Sequence, residues 1–163
     1  MAAPIADQIV DEIVTTLGGI TTGNGYQQTV TVQKLSMSPI SPADNLVIVA
    51  PHPPVLQNTQ ITLLDEYLMA VEITAFTIKA DSSTDVRERL VTLASDIRRK
   101  LMADRHRGTK AANTLLTRPA GASLQDGVGG EWADMYSEAT SPPFVIVMPR
   151  IQFRTLKDNP YQR

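Results

Sequence analysis

Between Tyr67 and Ile78 the sequence alternates long enough to demand one extended strand. Tyr67, Met69, Val71 and Ile73 fall on one face. Leu68, Ala70, Glu72 and Thr74 fall on the other, and Phe76 and Ile78 continue that second face. Successive side chains of a strand point to opposite sides of its sheet. One uniformly apolar face and one mixed face predict a sheet covered mainly on one side.

The covering layer is also legible. Ile5, Ile9, Ile13 and Leu17, widened by Val10 and Val14, recur at helical spacing. Pro4 suits a first turn, where its missing N–H costs nothing, and the early acids Asp7, Asp11 and Glu12 favour the positive end of the helix dipole. Gly18 and Gly19 end the pattern, one of them as an expected left-handed cap. A second helix is predicted from Val86, Leu90, Leu93, Ile97 and Leu101, running to about Asp104. Ser82 is its expected cap, with Asp85 three residues on.

The remaining strands are shorter. Thr29–Val32 is β-branched, and Leu46–Val49 reads as a strand buried on both faces. Pro51, Pro53 and Pro54 predict a stiff loop through Gln60. Thr114–Thr117 is an expected strand, and Trp132, Met135 and Tyr136 suit an extended segment. Phe144–Met148 is a clear strand. Pro149 interrupts it, because proline donates nothing to a ladder. Ile151–Arg154 then resumes alternation, and Lys157–Arg163 reads as a terminal extension. Strands come in runs rather than alternating with helices. The expectation is therefore α+β: a mostly antiparallel or mixed sheet with two main helices packed on it. A length of 163 residues suits one domain spanning 1–163.

Composition removes several functions. There are no cysteines, so there is no disulfide scaffold, thiolate zinc site or cysteine nucleophile. No apolar run approaches a membrane span, and MAAPIADQIVDEIV lacks the basic start of a signal peptide. The two histidines, His52 and His106, lack the spacing of a helical metal pair. Gly127, Gly129 and Gly130 precede Glu131 and Trp132 rather than the Lys-Ser/Thr of a phosphate cradle. Ser36, Ser38 and Ser41 lie outside any nucleophile elbow. Asp65-Glu66 and Asp11-Glu12 are adjacent and point apart. No catalytic residue, metal ligand or cofactor is expected. Glu72 stands out as an acid in mid-strand, facing solvent or a cation across a subunit contact.

Charge is unevenly distributed although the net charge is only −2. Residues 1–80 hold seven acidic and two basic side chains, whereas residues 86–118 hold nine basic and three acidic. Arg98, Arg99, Lys100, Arg105, Arg107 and Lys110 are among these cations. Part of the cluster complements a helix C-terminus. The rest predicts an anionic partner, either nucleic acid or the acidic half of a neighbouring copy. No aromatic residue interleaves the cluster, which disfavours single-strand binding. A head-to-tail contact between unlike patches closes into a ring when the rotation permits.

The ordered pieces resemble a known family. They are the opening amphipathic helix, the run Leu68–Ile73, the turn Lys79-Ala80-Asp81 and the helix carrying Asp96-Ile97. Leu101-Met102-Ala103-Asp104-Arg105 then leads into Arg107-Gly108, and Phe153-Arg154-Thr155 is followed by Asp158-Asn159-Pro160-Tyr161. This pattern, spread over nearly the whole chain, resembles the tail terminator proteins of long-tailed bacteriophages. The resemblance implies an α+β structural protein of the virion, not an enzyme and without a cofactor. It implies a hexameric ring that caps the tail tube at its head-proximal end, stops polymerisation and offers the joining surface for the head. Its partners would be copies of itself, the tail tube protein and the neck or connector protein. Genomic DNA would pass through the lumen without sequence-specific binding. Assembly would take place in the host cytoplasm. In such a ring Arg98, Arg99, Lys100, Arg105, Arg107 and Glu72 would face a neighbour or the lumen. Pro53, Pro54, Gly127, Gly129, Trp132, Phe153, Arg154 and Tyr161 would meet the tube or the neck. Another head–tail joining protein of the neck, or a nucleic-acid-binding module, are the alternatives.

Overall fold

In the computed structural model the expected long strand is the spine of the molecule. The structure describes residues 3–36, 41, 43–58, 63–78, 85–116, 135–137, 142–157, 159 and 161. In chain order the elements are α1 (Ile5–Gly18), β1 (Thr31–Lys34), β2 (Leu46–Pro51), β3 (Val55–Asn58), β4 (Leu64–Phe76), α2 (Val86–Ala103), β5 (Asn113–Leu115), β6 (Met135–Ser137), β7 (Phe144–Val147) and β8 (Arg150–Leu156). The architecture is α+β: a mixed sheet with two helices in a single domain.

β4 pairs with four strands. Its C-terminal half lies between β2 and β7, and its N-terminal half between β3 and β8, all antiparallel. β1 adds parallel to β2, β6 antiparallel to β7, and β5 antiparallel to β8. Both flanks of β4 change strand at prolines. On one flank Val71 N–H donates to Pro149 O at 3.0 Å. Proline has no N–H to return, so that rung is half made. The register nevertheless continues, with Ile73 opposite Val147 and Ala70 opposite Arg150. Pro149 therefore ends a strand without ending the ladder. On the other flank Pro51 faces Val71 and His52 N–H donates to Ala70 O, but Val55 then faces Leu68. One extra residue is accommodated there, as in a bulge. The loop expected from Pro51 to Gln60 thus contains β3, a correction to the sequence reading.

The inner face of the sheet carries the core. Val47, Val49, Val71, Ile73, Ala75, Val145 and Ile151 are fully buried. Ile9, Ile13 and Leu17 of α1 and Leu90, Leu93, Ile97 and Leu101 of α2 cover them. Each of these Val, Leu and Ile side chains contributes about 1.5–3 kcal/mol by leaving water. Leu46 and Ile48 are also buried, on the opposite face of β2, as its unbroken apolar run predicts.

Helix ends differ in detail from expectation. Pro4 is the N-cap of α1 rather than its first helical residue, and Gly19 stops the helix at φ −81° with no left-handed step. α2 is capped by Asp85, whose carboxylate accepts Arg87 N–H at 3.2 Å. Ser82 lies outside the described residues. Asp44 ties three elements together. Its carboxylate accepts Thr77 Oγ1–H, Ile78 N–H and Arg89 Nη2–H at 2.9–3.2 Å, joining the start of β2, the end of β4 and α2.

Truncation of Ile73→Ala should lower unfolding free energy by about 2–5 kcal/mol in urea denaturation. Ile78→Ala, at a half-exposed position beyond β4, should stay within about 0.5 kcal/mol of the parent. Similar losses at both positions would contradict the assignment of the inner face.

Candidate interaction surface

The cations of residues 86–118 do not form one exposed patch. Arg107 is fully buried. Its Nε donates to Thr114 Oγ1 at 3.2 Å and its Nη2 to the carbonyl of Leu101 in the last turn of α2. It acts as a helix C-cap, a role open to a basic side chain near the free carbonyls. The turn that places it there is unusual. Arg107, Gly108 and Thr109 all have positive φ, at 48°, 60° and 76°. Only glycine takes that region cheaply, and a β-branched residue there is strained. Asp104 holds the turn by accepting His106 N–H at 3.0 Å and Gly108 N–H at 2.7 Å. The Gly108 hydrogen bond, foremost, holds the Asp104 carboxyl below its usual range. Burial pushes the Arg107 guanidinium down, opposed by the carboxylates of Asp104 and Glu12. The expectation that Arg107 contacts a neighbour is therefore corrected, since it has no surface to offer.

Arg99 is exposed but engaged. It lies over the Tyr26 ring at 4.1 Å and donates to Gly25 O at 3.1 Å. Lys100 approaches the same ring at 5.6 Å. Arg98 is half-buried and Arg105 exposed. Two other cations meet acids of the same chain. Arg89 pairs with Asp44 at 3.1 Å and Lys110 with Glu12 at 3.6 Å. The acidic and basic halves thus complement each other partly within one molecule. This reduces the acid available to a neighbouring copy.

The outer face of the sheet is the more open surface. Where β2 gives way to β3 and β7 to β8, a cleft of about 540 Å³ opens. Val55, Leu68, Ala70 and Met148 supply its apolar wall, and His52 and Arg150 its polar rim. Glu72, the mid-strand acid, faces this side. It accepts Thr74 Oγ1–H at 3.2 Å and stands 3.6 Å from His52 Nε2. β3 forms the adjoining edge and pairs only with β4 among the described residues. Val55 is 59% exposed and Leu56 46%. Pro53 and Pro54 precede it, both exposed.

The other expected contacts divide. Phe153 is buried at 2% exposure and stacks on Tyr67, with centroids 5.4 Å apart. It belongs to the inner face, and its assignment to the tube or neck is corrected. Arg154 points to the outer face, 3.6 Å from Glu66. Tyr161 is exposed, its N–H donating to Asn159 Oδ1. Gly127, Gly129 and Trp132 lie outside the described residues. Among the described residues no cluster of three or more His, Asp or Glu is arranged to hold a metal ion, and no helix is long and apolar enough to cross a membrane. The cleft beside β3 was not legible in the sequence, because it is made by two proline junctions far apart in the chain. No family model matches the chain, and no curated protein matches it.

Arg107→Lys keeps the charge but loses the planar fork. It should destabilise the protein by about 1–3 kcal/mol in urea denaturation. The Asp104 contribution carries a pH signature. A carboxyl depressed in the folded state stabilises above its unfolded pKa and loses that effect as pH falls through its folded pKa. The stability gap between the parent and Asp104→Asn should therefore be full at neutral pH and shrink below the ordinary value of 3.8. A gap independent of pH would contradict this role.

Proposed function

We propose that this chain is a structural subunit that caps a bacteriophage tail tube. It acts as a tail terminator that forms a ring with copies of itself, stops tube growth and presents the surface to which the head joins. One observation carries the docking part of this reading. The chain exposes Val55 and Leu56 on an edge strand beside an apolar cleft. Exposed apolar surface rimmed by polar groups marks a place where another protein sits. A sheet edge with unpaired backbone groups is a common means of joining chains. The α+β architecture agrees with what the family resemblance implies, and the resemblance supplies the phage context. The chain would act by binding alone, with no cofactor. The exposed cations Arg99 and Arg105 would line or flank a passage for genomic DNA, which slides past without sequence-specific contact.

A different protein of the head–tail neck is the nearest competing role, and electron microscopy separates the two. In lysates of a phage whose copy of this gene is inactivated, headless tails of abnormal, variable length are expected. Headless tails of normal length would mean that termination is intact. The role would then move to the neck. Normal virions would exclude both.

A further inference from the structure

We infer that the free protein pairs edge to edge with a second copy of itself through β3, about a two-fold axis at Leu56. The hydrogen-bond phase of β4 sets this up. Ala70 O accepts from His52 N–H on one flank, and Val71 N–H donates to Pro149 O on the other. Along a strand, successive residues turn their backbone groups to opposite flanks. Leu68, two residues before Ala70, therefore turns its N–H and C=O toward β3, where it faces Val55. Tyr67 turns away from β3, and Leu56, which faces it, turns away from β4. The N–H and C=O of Leu56 thus point off the sheet. Val55 is spent on Leu68, Gln57 is the bulged residue and Asn58 meets Glu66. Pro54 has no N–H to give. Within β3, Leu56 is the residue that offers both groups to another strand.

Such an edge fits a copy of itself. A two-fold contact sets one patch against the same patch. Antiparallel pairing centred on Leu56 lets each Leu56 N–H donate to the C=O of the other Leu56, the closely spaced pair of a ladder. The exposed Leu56 side chains then meet on the inner face, and the exposed Val55 side chains are covered on the outer one. Val55–Asn58 carries no charge, so the axis brings no like charges together. Other edges are guarded. β1 carries Lys34, tied to Asp11 of α1 at 2.9 Å, and a charged edge resists a further strand. β5 spends the Thr114 N–H on Asn113 Oδ1 at 2.9 Å. A two-fold pair is closed and adds no third chain, so it is distinct from the proposed ring and does not depend on it. In the tail reading it covers the docking edge until a tube end takes its place.

Sedimentation equilibrium of the purified chain tests the pairing. At about 100 μM, which populates any dimer of micromolar affinity, twice the chain mass is expected. Leu56→Lys sets like charges face to face and should weaken the dimer at least about tenfold, with an unchanged urea midpoint showing that the fold is kept. A rise in salt from about 0.1 to 1 M should leave the parent dimer intact, because no ion pair holds it. The absence of native cysteine allows a second, independent readout. Facing residues of a closely spaced pair have Cα atoms about 5.5 Å apart, within disulfide reach. Mild oxidation should therefore link Leu56→Cys chains in pairs, and should not link Val91→Cys chains, whose cysteine is similarly exposed on α2. A monomer at this concentration would overturn the proposal, as would a dimer that Leu56→Lys leaves intact, one that salt dissociates, or equal linkage at both positions. A ring of six that forms without the Leu56→Cys bond would overturn it too, while leaving the ring reading intact.

Discussion

The continuous ladder along β4 is the interaction on which the rest depends. One strand serves two pairs of neighbours in succession, β2 with β7 and then β3 with β8. Its inner side chains, Met69, Val71, Ile73 and Ala75, are all buried and span the core. A one-residue slip in this strand would exchange that face for Leu68, Ala70, Glu72 and Thr74. Such a slip would bury Glu72 under the helices and expose Ile73. The register therefore fixes both where the core lies and which surface is left open.

The prolines shape that open surface. Pro149 breaks one strand without shifting its register, whereas the Pro51–Pro54 junction accommodates an extra residue. The two interruptions meet on either side of Ala70 and Val71, and the cleft opens there. Local backbone chemistry in two distant stretches thus makes a surface feature that neither stretch encodes alone. Prolines also remove donors from the edge before β3, which confines strand pairing to Val55–Asn58.

Much of this was readable from the chain because periodicity survives folding. The apolar stripes of α1 and α2 and the alternation of β4 and β8 all appear where their spacing placed them. Phe153 shows the strength of that signal. Its alternation with Gln152 and Arg154 put it on one face with Ile151, and it is buried there. The surface role drawn from the resemblance ran against its own pattern. β3 was missed because four residues after a proline cluster carry too little periodicity to read. Arg107 was missed for a different reason. A cation in a run of cations reads as surface, and only the three left-handed residues at 107–109 turn it inward. Arg-Gly shortly after a helix was the available hint. The pairing of Asp44 with Arg89 and of Glu12 with Lys110 lay beyond any local signal, since those partners meet only in the folded chain.

The proposed closing of a tube end by this protein is tested most directly by imaging the end itself. Tail tubes from lysates lacking this gene product would be incubated with the purified chain and their ends averaged by cryo-electron microscopy. A six-fold cap at one end of the tube, with further tube growth blocked, is the predicted result. Bare ends at saturating protein, or density found only on heads, would contradict it.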